Sequence, residues 1–129
     1  MKKFLVVLFA ALMLAMGTFA AFEKVNTYNN NFSDVTDSNW YAENVKTAYE
    51  LGFMKGSSAT TFEPEGNMTV AEAITIAARV NDAYATKGTS FNQSGANWYD
   101  CYVKYATDAG IITATQFDNY ERNITRAEM

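Results

Sequence analysis

Trp40-Tyr41-Ala42-Glu43-Asn44-Val45-Lys46-Thr47-Ala48-Tyr49-Glu50-Leu51-Gly52 returns 58 residues later as Trp98-Tyr99-Asp100-Cys101-Tyr102-Val103-Lys104-Tyr105-Ala106-Thr107-Asp108-Ala109-Gly110. The aromatic pair, Val45/Val103, Ala48/Ala106 and Gly52/Gly110 keep their order, and the apolar pair Phe53-Met54 falls on Ile111-Ile112. Further on, with a gap of one or two residues, Phe62 matches Phe117, and Met68-Thr69-Val70-Ala71-Glu72 matches Ile124-Thr125-Arg126-Ala127-Glu128. Such self-similarity marks a repeat architecture.

Each unit reads as helix, irregular loop, helix. In the first, Tyr41, Val45, Ala48 and Leu51 share one face at helical spacing, with Asp37 or Ser38 as the expected N-cap. Gly52 stands where a helix C-terminus favours a left-handed residue. The loop from Phe53 to Met68 holds Gly56, Pro64 and Gly66, with Phe62 as an apolar plug. A second helix starts at Thr69, where Thr69-x-x-Glu72 makes a capping box; its stripe of Val70, Ile74, Ala77 and Ala78 lasts to about Val80. The second unit repeats the plan and has its own box, Thr125-x-x-Glu128. The polar runs at 21–31 and 81–90 read as a lead-in and a solvated linker.

Ahead of the units, Met1-Lys2-Lys3, 13 apolar residues from Phe4 to Met16, and Gly17-Thr18-Phe19-Ala20 describe a secretory signal peptide, with cleavage expected after Ala20. A membrane-spanning helix needs about 20 apolar residues, so no membrane partner is expected after cleavage, the alternative being an uncleaved membrane anchor. Losing Lys2 and Lys3 would carry the net charge from −4 to −6. That balance argues against a nucleic-acid partner, because no cationic stripe offsets phosphates; an acidic ligand has to be held by a local site. The chain has no histidine, which excludes serine–histidine and cysteine–histidine nucleophile pairs. Cys101 is the only cysteine and reads as a helix residue. No carboxylate pair stands out for glycoside hydrolysis, and no calcium-loop motif occurs. The expectation is a non-enzymatic module without cofactor or metal. Asn-x-Ser/Thr triplets at Asn31, Asn67, Asn92 and Asn123 are attributed to Asn-rich loops.

Taken together, Phe32-Ser33-Asp34-Val35, Trp40-Tyr41, Ala48-Tyr49-Glu50-Leu51-Gly52, Phe62-Glu63-Pro64, Met68-Thr69-Val70-Ala71-Glu72-Ala73 with the first unit ending at Arg79, and Ile124-Thr125-Arg126-Ala127-Glu128-Met129 resemble the S-layer homology (SLH) family. The resemblance implies an all-α fold of tandem helix-loop-helix repeats, one complete (32–80) and one truncated (91–129), forming part of a three-pronged bundle. It also implies a function: anchoring an exported protein to the cell surface by binding an acidic, pyruvylated secondary cell-wall polysaccharide in grooves between prongs. On the family's pattern the ligand-binding candidates are Arg126, Thr125, Glu128, Trp98, Trp40 and Asp34, with Arg126 the main contact. Val70 stands where the first repeat would carry its arginine.

The residues keep other readings open beside that one. At the first position of a helix, Arg126 and the free amides would form an anion pocket, or Arg126 would pair with Glu121 or Asp118. Thr125 and Glu128 are first of all a cap. Trp40 and Trp98 either stack on a sugar or anchor the core through their indoles, the core role being favoured. A protein–protein scaffold, or the anchor of a larger surface enzyme, are the alternative functions.

Overall fold

The computed structural model describes residues 22–86 and 91–129, so the expected signal peptide and part of the expected linker lie outside the described residues. The architecture is all-α: α1 spans Ala42–Glu50, α2 Val70–Thr86 and α3 Asp100–Asp108. Among the described residues the nearest thing to a sheet is one antiparallel bridge, Thr69 to Asn123.

α1 and α3 end in the same way. Gly52 (φ +74°) and Gly110 (φ +71°) are left-handed. The Phe53 N–H reaches back to the Ala48 carbonyl (2.9 Å) and the Gly52 N–H to Tyr49, while Ile111 bonds Ala106 (2.8 Å) and Gly110 bonds Thr107. Both ends are Schellman motifs, which satisfy the last carbonyls and aim the next apolar residue back at the helix.

The starts differ from expectation. Neither Asp37 nor Ser38 caps α1; its N-cap is Tyr41, which makes no side-chain cap bond. Asn39 organises the entry instead, its Oδ1 accepting the Thr36 N–H (2.7 Å) and hydroxyl (3.0 Å) while its carbonyl accepts the Ala42 N–H. A short amide side chain closing its own turn outcompetes a carboxylate one turn away. At α2 the capping box forms as read. Thr69 N–H donates to Glu72 Oε2 (2.7 Å) and Glu72 N–H to Thr69 Oγ1 (3.2 Å).

α2 runs six residues past the expected end at Val80. Asn81-Asp82-Ala83-Tyr84-Ala85-Thr86 contains no glycine or proline to stop it, and tertiary contacts hold the extra turns: Tyr105 Oη donates to Asn81 Oδ1 (2.9 Å) and Tyr84 meets the Phe22 ring. The lead-in is not a free spacer either. The Val25 and Asn26 N–H groups donate to the Glu50 carbonyl, Asn26 Nδ2 donates to the Tyr49 carbonyl, and Lys24 pairs with Glu50. Its polar side chains thus serve the C-terminus of α1.

Two cores result, and their membership does not follow the sequence repeat. Phe32, Val35 and Val45, with Tyr28, Tyr41, Tyr49 and Phe62, build one. Val70 and Ile74 of α2 join Ala106, Ile112, Phe117 and Ile124 in the other. α2 therefore packs on α3 and not on α1, its partner within the repeat. Backbone bonds fix this docking: Val70 and Ala71, in the first turn of α2, donate to the carbonyls of Arg122 (3.0 Å) and Tyr120 (2.8 Å), and Ile124 donates to Met68 (2.9 Å). First-turn amides have no partner within their own helix; here the loop after α3 supplies one.

Candidate functional site

The Thr125–Glu128 segment forms a single turn, with Glu128 N–H on the Thr125 carbonyl (3.1 Å). Glu128 Oε2 accepts the Thr125 N–H (3.0 Å) and hydroxyl (2.9 Å), so one arm of the expected box is present. The carboxylate's stronger partner is Arg122, whose Nη1 and Nη2 grip its two oxygens at 3.0 and 2.6 Å. Arg122 also bonds the Asn123 carbonyl and lies over the Phe117 ring (5.9 Å). That fork, reinforced by the Thr125 amide, holds the Glu128 carboxyl at about 2 and pushes the Arg122 guanidinium further up.

Arg126 is exposed, and among the described residues it makes no ion pair with Glu121 or Asp118. The guanidinium that finds a carboxylate at this turn is that of Arg122, with Glu128 as its partner, and nothing in the repeat pattern singled it out. The amide of Thr125 is engaged by Glu128, so an anion at this turn would meet the Arg126 side chain first.

A consequence for pH follows. An unfolded Glu128 titrates near 4.5 and the folded one at about 2. Its contribution to stability is therefore complete above pH 4.5 and fades as pH falls toward 2. The Tm difference between wild type and Glu128→Gln is expected to be constant above pH 5 and to close on acidification; a gap that widens there contradicts the assignment.

Asp34 is a structural carboxylate. Its oxygens accept the Phe62 N–H (2.9 Å) and the Glu63 N–H (2.7 Å), and these backbone bonds lower its pKa. They tie the Phe32–Val35 entry to the loop that carries the Phe62 plug, where Glu63 sits at φ +59°.

The tryptophans overturn the core-anchor reading. Trp40 is 85% and Trp98 48% exposed, while Tyr99 is buried and Tyr41 packs on the first core. In each pair the tyrosine takes the inward position and the indole rests edge-on against it, at 5.4 and 5.5 Å. Two neighbours at a helix start cannot share one face, and the smaller ring is the one that fits inside.

Each indole opens onto a groove. Trp40 borders one of about 440 Å³ with Tyr28, Asp37, Asn39, Glu43 and Lys46. Trp98 closes a second, of about 350 Å³, whose other walls belong to the first unit: the 53–68 loop, with Lys55 and Glu63, and the α2 residues Glu72, Ile76 and Arg79. Arg79 Nη1 donates to the Phe53 carbonyl (3.3 Å) and Nη2 to the Tyr102 hydroxyl (3.0 Å), with the guanidinium over the Tyr102 ring at 5.1 Å. An adjoining hollow, sharing Met68 and Ile76, is lined by Glu128 and Met129. The structure thus brings Thr125, Arg126 and Glu128 together in one turn, places Trp98 on the groove beside the hollow that Glu128 lines, and leaves Trp40 and Asp34 elsewhere. Val70 is fully buried in the second core and contributes nothing to a groove.

Comparison with known proteins bears on what these grooves are for. The S-layer homology domain model matches residues 31–74. The chain carries an S-layer homology domain. It is similar to an endoglucanase of Bacillus sp. (strain KSM-635), 29% identical over 123 residues (90% of this chain, 13% of that protein). It is similar also to the S-layer protein sap of Bacillus anthracis, 31% identical over 86 residues (65% of this chain, 11% of that protein), and to exoglucanase XynX of Acetivibrio thermocellus, 32% identical over 97 residues (69% and 9%). The chain thus spans about a tenth of these relatives' lengths. No solved structure matches it. The SLH domain and the S-layer relatives indicate an exported, cell-surface-attached protein, and no helix among the described residues is long and apolar enough to cross a membrane.

Proposed function

We propose that this SLH chain anchors an exported protein non-covalently to the cell wall by binding an acidic, pyruvylated secondary cell-wall polysaccharide, and is itself no enzyme. Residues 1–20 would be its signal peptide, with 32–80 and 91–129 two SLH repeats that form part of a three-pronged bundle. The observation that carries the reading is the SLH match together with two exposed indoles, Trp40 and Trp98, each opening onto a groove. The matching Schellman turns at Gly52 and Gly110 support the repeat assignment.

In this reading Arg126 meets an acid group of the polymer, its turn held by Thr125, Glu128 and Arg122, while Trp98 and Trp40 offer ring faces to sugars. Asp34 would act through the loop that it ties down.

Retention on purified cell-wall sacculi tests this. Arg126→Ala is expected to weaken retention about 10- to 100-fold, the loss of a charge-assisted hydrogen bond, with unchanged helicity. Undiminished retention by the variant would move the case to a protein–protein scaffold. Undiminished retention by wild type after acid stripping of the polymer would exclude the polysaccharide as the ligand.

A further inference from the structure

We infer that Arg79 and Lys55 form the anion contact of the groove closed by Trp98, supplying there the positive charge that the buried Val70 cannot. This deepens the anchoring reading and rests on it. The groove's charged side chains are Lys55, Glu63, Glu72 and Arg79. Glu72 is engaged by the Thr69 amide and hydroxyl at 2.7 and 3.0 Å. No carboxylate among the described residues pairs with Arg79 or Lys55. Two cations without a carboxylate partner therefore line the groove with one unengaged carboxylate, Glu63, in a chain whose net charge is −4.

Arg79 is positioned before any ligand arrives. Its bonds to Phe53 and Tyr102 and its stacking on the Tyr102 ring fix the guanidinium plane. A guanidinium has five donors, so donors remain after those two bonds. A planar fork held in place suits a two-oxygen anion. Lys55 adds a mobile point charge, Trp98 a flat apolar face and Glu63 an acceptor for hydroxyl groups. The ligand that matches all four is a sugar ring bearing an acid group, carboxylate or phosphate.

Affinity for purified sacculi, measured on the full chain, tests the inference through Lys55→Ala, Arg79→Lys and the control Lys104→Ala, whose lysine pairs with Asp108 on the surface. Lys55→Ala and Arg79→Lys are each expected to weaken binding about tenfold, the loss of about 1.4 kcal/mol, and the control to leave it unchanged. Lys55 is exposed and unpaired, so its variant keeps the fold and decides the matter if Arg79→Lys does not fold. Wild-type affinity in Lys55→Ala, or an equal loss in the control, overturns the inference. If Arg126→Ala alone weakens binding, anchoring stands and this groove falls; if wild type is not retained at all, both fall. Carbodiimide amidation of the sacculi separates the two acids: lost binding identifies a carboxylate, retained binding a phosphate.

Discussion

Replacing Phe32 by alanine is expected to cost about 3–5 kcal/mol, the usual penalty for emptying a buried phenylalanine site, and to melt the first core while α2 stays packed on α3. Phe32 is 2% exposed and central to an aromatic cluster, with ring centroids 5.9 Å from Tyr28, 5.4 Å from Tyr49 and 5.3 Å from Phe62. The backbone is shaped around it: a Cβ on Gly56 would lie 2.6 Å from the ring. Since small domains hold only about 5–15 kcal/mol in total, one such loss removes a large share of what keeps residues 22–62 folded. Urea titration followed by amide hydrogen exchange checks this. Protection should collapse in α1 and persist in Val70–Thr86; simultaneous loss in both would mean that the cores are one cooperative unit.

The complementary change is Ile112→Ala, expected to cost about 2–5 kcal/mol and to release α2 although residue 112 lies outside the sequence repeat that contains it. Ile112 packs with Val70, Ile74 and Ala106, and Tyr120, Arg122 and Ile124 of the same loop bond the start of α2. Opening that cavity removes the surface on which the helix sits. In exchange experiments α2 and α3 should lose protection together while α1 retains it. Selective loss in α1 would refute the packing assignment. The pair of variants is stronger than either alone, because the two predict opposite fates for α2.

Much of the secondary structure was legible in the sequence. Val45 at helical spacing, Gly52 and Gly110 past helix ends, and the Thr69-x-x-Glu72 box are local signals, and local hydrogen bonds decide them. What stayed illegible depends on contacts distant in the chain. Asn39 displaced Asp37 and Ser38 because its side chain closes a turn that spacing alone does not rank. Asn81–Thr86 looked like linker by composition, yet Tyr105 and Phe22 meet that stretch from afar. The bulk of the tryptophans predicts an inward place for them, but the adjacent tyrosines occupy the inward positions. For the candidate site, Arg126, Thr125 and Glu128 share one turn as the motif suggested, whereas the Arg122 fork has no motif at all, and Arg79, the end of the first unit's pattern, carries no sign of its clamp there. Arg79 could have been noticed as a lone cation on a helix of negative net charge, although its contacts with Phe53 and Tyr102 could not.

Under the proposed anchoring role, the staggering of sequence repeat and core has a mechanical meaning. Modules joined end to end by a tether separate wherever the tether is pulled. Here a helix contributed by one module is glued along the flank of the next, as in a lap joint. Tension entering at α1 reaches the second core through the whole buried face of α2 and the backbone bonds at its start, and peeling the modules apart requires unseating that helix.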